Sequence, residues 1–368
     1  MKWINGWRGF WMDNEKMNKV VLTTTGCYGT GSSAVTDLMR EFDCVDCKGE
    51  YEVRFIHDPD GISDLEYNIV ENPNRHNSSN SIKRFVKMME DLDHIWFIKR
   101  YHKQFGDAFL RLIYEYIDNI TVCKYKGAWH YDVYERGKLF YILSRTFVNI
   151  NMGLNNYLHI PLIHGNDLIS KNECAYLPLI DEKDFLKVTQ CFIGKFVTSI
   201  SDVRKKYVFL DQLVPPSNFN RYIRYIKQIK IILVERDPRD IYIMEKYIWK
   251  GRVAPAYNIE KYCEWYKWTR DLYRKDKISD AVLIVQFEDL IYQYEKTVNS
   301  IMEHFGLEKK SHSQPFKYFN PKISINNTQS WILFPSETEN IKKIENKLKD
   351  YCYEFPCIRT ENKKTRMF

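Results

Sequence analysis

The stretch from Lys19 to Phe42, KVVLTTTGCYGTGSSAVTDLMREF, is where the fold can be read first. Val20-Val21-Leu22-Thr23-Thr24 is short, apolar and β-branched, the composition of a buried strand. It runs into Gly26-Cys27-Tyr28-Gly29-Thr30-Gly31-Ser32-Ser33. Beyond that turn Val35, Leu38, Met39 and Phe42 recur at i, i+3, i+4 and i+7, one apolar stripe of a helix that starts near Ser32 or Ser33. The unit is strand, glycine-rich turn, helix. Working outward, the same buried composition predicts strands over Tyr207–Leu210, Lys230–Glu235 and Val282–Phe287, with helical stretches between them long enough to be crossovers. A helix over Ile259–Lys275 gathers Ile259, Tyr262, Cys263, Tyr266 and Tyr273 near one face. Tyr294, Val298, Ile301, Met302 and Phe305 form another stripe, closed by Gly306. Strands alternating with helices predict an α/β fold, a doubly wound parallel sheet flanked by helices. In such sheets ligands sit at the carboxyl ends of the strands, where the loops bearing Gly26–Ser33, Asp211 and Arg236 emerge.

A length of 368 residues allows one large α/β domain with insertions or two smaller domains. Residues 1–18 read as a loosely attached arm and 19–368 as a single α/β domain. Within it, residues 60–200 form a helical insertion rather than a second sheet, and Asn72–Ser81 (NPNRHNSSNS) a loop or mobile segment. The 55 Lys+Arg against 48 Asp+Glu leave a net charge of +7, without a run of five basic residues, which disfavours nucleic-acid binding and suits an anionic small ligand. With neither a long apolar window nor a signal-peptide core, a transmembrane or secreted protein is not expected. Nine cysteines then read as reduced core residues, and the expected location is cytoplasmic.

Gly26, four residues and Gly31 have the spacing of a phosphate loop, but Ser32 stands where an ATPase or kinase has its lysine. The glycines let backbone N–H groups turn toward an anion, the helix N-terminus adds positive potential, and Thr30, Ser32 and Ser33 supply hydroxyls. Glu235-Arg236-Asp237-Pro238-Arg239-Asp240 follows another strand. Its two arginines could grip a phosphate; equally, Asp237 and Pro238 could simply start a helix. Cys44 and Cys47 form a C-x-x-C without a second pair, and His57, His130, His159 and His164 lack ligand spacing, so no metal is expected. His164 could still line an acceptor site. Trp249, Trp265 and Trp268 read as core and helix-packing residues.

Val285-Gln286-Phe287-Glu288-Asp289-Leu290, and then His304-Phe305-Gly306-Leu307, complete a third motif. A glycine-rich turn after the first strand, an RDPRD loop, and FEDL before a helix closed by FGL together resemble the sulfotransferases that use 3′-phosphoadenosine 5′-phosphosulfate (PAPS). The resemblance covers Lys19–Phe42 and Tyr207–Trp331. It implies a P-loop NTPase-like sulfotransferase fold whose insertion at 60–200 shapes the acceptor pocket. It also implies that Tyr28–Ser33, with Gly29, Thr30, Gly31, Ser32 and Ser33, cradles the 5′-phosphosulfate, and that Arg236 and Arg239 serve the 3′-phosphate. Ser324–Trp331 would close over the nucleotide. Gly29 stands where most members have a lysine or arginine, and Met244 where they have a serine for the 3′-phosphate. Arg54, Arg239 and Lys246 are candidates for the missing cation, and Glu52 and Asp211 for the base on the acceptor hydroxyl. The resemblance leans to bacterial carbohydrate-type members, implying a sugar hydroxyl of a cell-surface glycan or its precursor, although the aromatic content suits a lipid or phenol equally. The rival readings are a P-loop kinase or NTPase and a non-catalytic nucleotide-binding protein.

Overall fold

A computed structural model describes residues 19–95, 99–126, 137–158, 174–275 and 279–359. The chain is an α/β protein whose main sheet has five strands: β1 Val20–Gly26, β2 Val45–Lys48, β5 Tyr207–Leu210, β6 Ile229–Glu235 and β7 Val282–Gln286. Their order is β2-β5-β1-β6-β7, and every adjacent pair is parallel. The chain leaves β1 toward one edge of the sheet and returns from β5 to the other side of β1. The order therefore reverses at β1, and the loop after β1 opens into the crevice that such a switch creates.

Side-chain alternation covers both faces. Val21, Val208, Leu210, Ile231 and Leu233 enter one core, while Leu22, Phe209, Ile232 and Val234 enter the other. The first core is completed by helices α2 (Arg75–Asp93), α3 (Ala108–Ile120) and α5 (Glu182–Ile200), through residues such as Phe85, Phe109, Tyr116, Phe192 and Phe196. Much of the region after Asp60 is thus one face of the domain. The second core belongs to α1 (Ser32–Met39) and α8 (Tyr294–Phe305). A third, smaller core joins α6 (Pro238–Ile243) and α7 (Ile259–Arg274) to α9 (Thr338–Lys347).

The expected strands and helices form, with strand ends moved by one or two residues, while the first helix ends at Met39, three residues short of the Phe42 of its expected stripe. Gly306, at φ 72°, ends α8 in the left-handed conformation that glycine adopts without a Cβ clash. Three expectations need correction. The insertion is not purely helical, because β3 (Cys123–Lys126) and β4 (Cys174–Leu177) pair antiparallel as an exposed ribbon, on either side of α4 (Lys138–Leu158). Asn72–Ser81 is a loop only to Asn74, whose side chain accepts from Asn77 N at 2.8 Å and caps α2. Trp268 is exposed rather than in a core. Residues 1–18, His130, His159 and His164 lie outside the described residues.

Candidate functional site

The loop after β1 is shaped by its glycines. Gly29 and Gly31 stand at φ 78° and 86°, where a residue with a Cβ is strained. A Cβ on Gly31 would also lie 2.6 Å from the Phe287 ring, and one on Gly26 would lie 2.0 Å from Thr30 Oγ1. Helix α1 begins directly at Ser32, and no side chain caps it. Its first N–H groups therefore face the loop with the positive end of the helix dipole behind them, an arrangement that suits an anion. Ser33 is exposed, Thr30 is buried, and Ser32 Oγ accepts from Gln212 Nε2 at 2.9 Å.

The loops after β6 and β7 lock onto this turn. Arg236 donates from Nη1 to Gly29 O at 3.0 Å and from Nη2 to Asn327 O at 2.5 Å, with its guanidinium 4.7 Å from the centre of the Phe287 ring. Phe287 thus packs against both the glycine turn and Arg236. Glu288 Oε1 accepts from Asp237 N at 3.0 Å, and Asp240 accepts from the backbone of Gln329 and Ser330. The three motifs read from sequence are therefore one interlocked structure. Arg236 Nε is buried without a hydrogen-bond partner, an unspent donor on a charged group.

Arg239 and Trp331 lie together on the far side of this knot. The guanidinium is 4.2 Å from the Trp331 ring, and its N–H groups go to both Asp237 oxygens, to Glu345 at 2.9 Å and to Tyr353 O at 3.1 Å. Asp237 itself caps α6 through Arg239 N, so the helix-starting role of this loop and its arginine cluster coexist.

The buried carboxylates have a measurable consequence. Burial, then the nearby Asp237 and Asp240 charges, push Glu288 up to about 8 from an ordinary 4.5. The folded chain keeps this proton while the unfolded chain loses it, so stability falls as pH rises from about 4.5 to about 8, by roughly 1.4 kcal/mol per pH unit at most. Glu288→Gln, which retains the acceptor for Asp237 N, is expected to melt near the wild-type temperature at pH 5 and above it at pH 9. A difference that does not change with pH would show that Glu288 carries no such proton.

Glu52 and Asp211 are brought together at the β2–β5 corner, where Val53 N donates to Asp211 O at 2.8 Å. Burial first, and the Glu52 charge second, raise Asp211 to about 7, and its Oδ1 has no partner. Glu52 is the more accessible of the two, its side chain 47% exposed and 3.3 Å from Arg54. Arg54 also pairs with Asp58 at 2.9 Å.

Sequence reasoning missed the residue that ties this corner to the turn. Gln212 stands at φ 56°, and its side chain reaches Ser32 Oγ and Thr25 Oγ1 while its carbonyl accepts from His57 Nε2 at 2.9 Å. Nothing in the run Asp211-Gln212-Leu213 signals this, because the contacts cross three loops. His57, one of the histidines without ligand spacing, is hydrogen-bonded beside the site, and burial lowers its pKa. Trp249 also borders the turn, since a Cβ on Gly29 would lie 3.0 Å from both its ring and the Met244 methyl.

The structure is similar to two solved sulfotransferases. One is the sulfotransferase domain from the Synechococcus PCC 7002 olefin synthase, at 11% identity and a TM-score of 0.38, covering 92% of this chain and 97% of that one. The other is sulfotransferase STF9 from Mycobacterium avium, at 8% identity and a TM-score of 0.35, covering 94% and 80%. No family model matches the chain, and no curated protein does. Among the described residues no group of three or more His, Cys, Asp and Glu side chains is placed to hold a metal ion. No described helix is long and apolar enough to cross a membrane.

Proposed function

We propose that the chain is a sulfotransferase moving a sulfuryl group from PAPS to a hydroxyl, with a sugar of a cell-surface glycan or its precursor as the acceptor class carried over from the family resemblance. The observation that carries this reading is the uncapped N-terminus of α1 behind a turn with two left-handed glycines, gripped by Arg236 and flanked by two carboxylates. The turn fits a phosphate because Gly29 and Gly31, both at positive φ, let the backbone N–H groups ahead of α1 turn toward an anion.

In this reading the backbone and hydroxyls of Thr30, Gly31, Ser32 and Ser33 hold the 5′-phosphate. Arg236, with its unspent Nε, serves the 3′-phosphate side, which Arg239 stacked on Trp331 borders. Sulfuryl transfer is an in-line displacement, so the protein's work is positioning and charge stabilisation. Glu52 is the base: it is the accessible carboxylate of the pair, and Asp211 is its buried neighbour. A positioned base contributes about 10²–10⁴ in rate. The kinase rival fits less well, since Ser32 replaces the lysine that reaches the outer phosphates and its hydroxyl is held by Gln212. The nine cysteines are all free, which supports a cytoplasmic location. Titration with 3′,5′-adenosine diphosphate, the expected product, tests the donor site.

A further inference from the structure

We propose that Gln212 is a positioning residue of the donor site: its side-chain amide fills the receiving side of the Ser32 hydroxyl and so commits the single Ser32 proton to the 5′-phosphate. The inference rests on the sulfotransferase reading of the glycine turn and names the residue that sets the polarity of its serine.

A serine hydroxyl has one hydrogen to give and two lone pairs to receive with, and toward a phosphate only the giving direction is useful. At Ser32 the receiving direction is already taken. Ser32 Oγ accepts from Gln212 Nε2 at 2.9 Å and donates to none of the described residues. The other end of the amide, Oε1, accepts from the buried Thr25 hydroxyl at 3.4 Å, which leaves the nitrogen as the end that faces Ser32. The free O–H lies at the first residue of α1, where the uncapped helix N-terminus already favours an anion.

The backbone beneath this contact is held from several sides. Gln212 stands at φ 56°, a conformation that a residue with a Cβ keeps only where its surroundings over-determine it. Its N–H donates to Thr24 O at 3.1 Å, and its carbonyl accepts from His57 Nε2 at 2.9 Å. The next N–H, of Leu213, donates to Thr23 Oγ1 at 3.2 Å. Thr23 and Thr24 belong to β1, the strand that leads into the glycine turn, so the amide is anchored to the same strand end as the hydroxyl it serves. An unheld hydroxyl can turn toward water as readily as toward the anion. The Gln212 donor removes that choice before the nucleotide arrives, and a bond donated into Oγ strengthens the bond that Oγ donates onward.

The test is a double-mutant cycle on calorimetric binding of 3′,5′-adenosine diphosphate, with wild type, Ser32→Ala, Gln212→Ala and the double variant. Gln212→Met, which keeps the length of the side chain but not its donor, is the control for packing and carries the cycle if truncation unsettles the turn. We expect Ser32→Ala to weaken binding about tenfold and Gln212→Ala about fivefold, with Gln212→Met as weak as Gln212→Ala. The double variant should bind within about twofold of Ser32→Ala alone, because Gln212 then has nothing left to act through. Losses that multiply in the double variant, recovery in Gln212→Met, or unchanged affinity in Gln212→Ala overturn the proposal. Tighter binding by Gln212→Ala overturns it too, since Ser32 would then be giving its proton to Gln212 rather than to phosphate. Unchanged affinity in Ser32→Ala removes the proposal and leaves the sulfotransferase reading standing, whereas a wild-type protein that does not bind the bisphosphate overturns that reading itself.

Discussion

Arg236→Ala is expected to weaken binding of 3′,5′-adenosine diphosphate by at least about 100-fold and to lower the melting temperature. The binding loss has two parts. A hydrogen bond from a charged donor is worth about 1.5–3 kcal/mol, and each 1.4 kcal/mol is about tenfold in affinity. Removing the guanidinium takes away any contact to the nucleotide and also releases the glycine turn, because Gly29 O loses its donor. The stability loss follows from the same geometry. The carbonyls of Gly29 and Asn327 are left unpaired, at about 1–3 kcal/mol for each that stays buried, and a hollow opens against Phe287. Arg236→Lys, which keeps the charge and can satisfy one carbonyl, should fall between the two. Bisphosphate affinity unchanged in Arg236→Ala would remove Arg236 from the site.

The second large effect separates the two carboxylates. Glu52→Gln is expected to reduce the rate of sulfuryl transfer by about 10²–10⁴ with little change in nucleotide affinity, since the base acts only on the acceptor proton. Asp211→Asn should stay within about tenfold of wild type and change the pH profile instead. Asp211, raised to about 7 by burial and by the Glu52 charge, ionises as pH rises through that value and places a second negative charge at the β2–β5 corner where the acceptor proton is taken. The wild-type rate should therefore climb across neutral pH, and the climb should vanish in Asp211→Asn. The reverse pattern, with Asp211→Asn inactive and Glu52→Gln nearly normal, would make Asp211 the base.

What could be read from sequence was set by how local the cause is. The first strand, the glycine turn and α1 are legible because β-branched residues, glycine spacing and a helical stripe all act within Val20–Phe42. β2 was not, since Val45-Asp46-Cys47-Lys48 is a short, half-buried strand whose pairing partner lies at Tyr207–Leu210. The β3–β4 ribbon was not, because Cys123-Lys124-Tyr125-Lys126 is exposed along its whole length and buries no alternating face. The site divides in the same way. Gly26–Ser33 and Arg236 carry their signals in their own loops. The proximity of Glu52 to Asp211, the strained turn at Gln212, and the packing of Phe287 against two loops arise only when separate strand ends meet. Arg239 illustrates the limit of composition: a second arginine beside Arg236 looks like a second phosphate contact, yet its donors go largely to Asp237 and Glu345.

The claim at the centre of this account is that the turn between β1 and α1 binds a bisphosphorylated adenosine. Calorimetric titration of the purified protein with 3′,5′-adenosine diphosphate, with magnesium and ATP as the comparison, addresses it directly. Micromolar binding of the bisphosphate with no heat from ATP is the predicted result. Binding of ATP with magnesium in place of the bisphosphate, or of neither nucleotide, would contradict it.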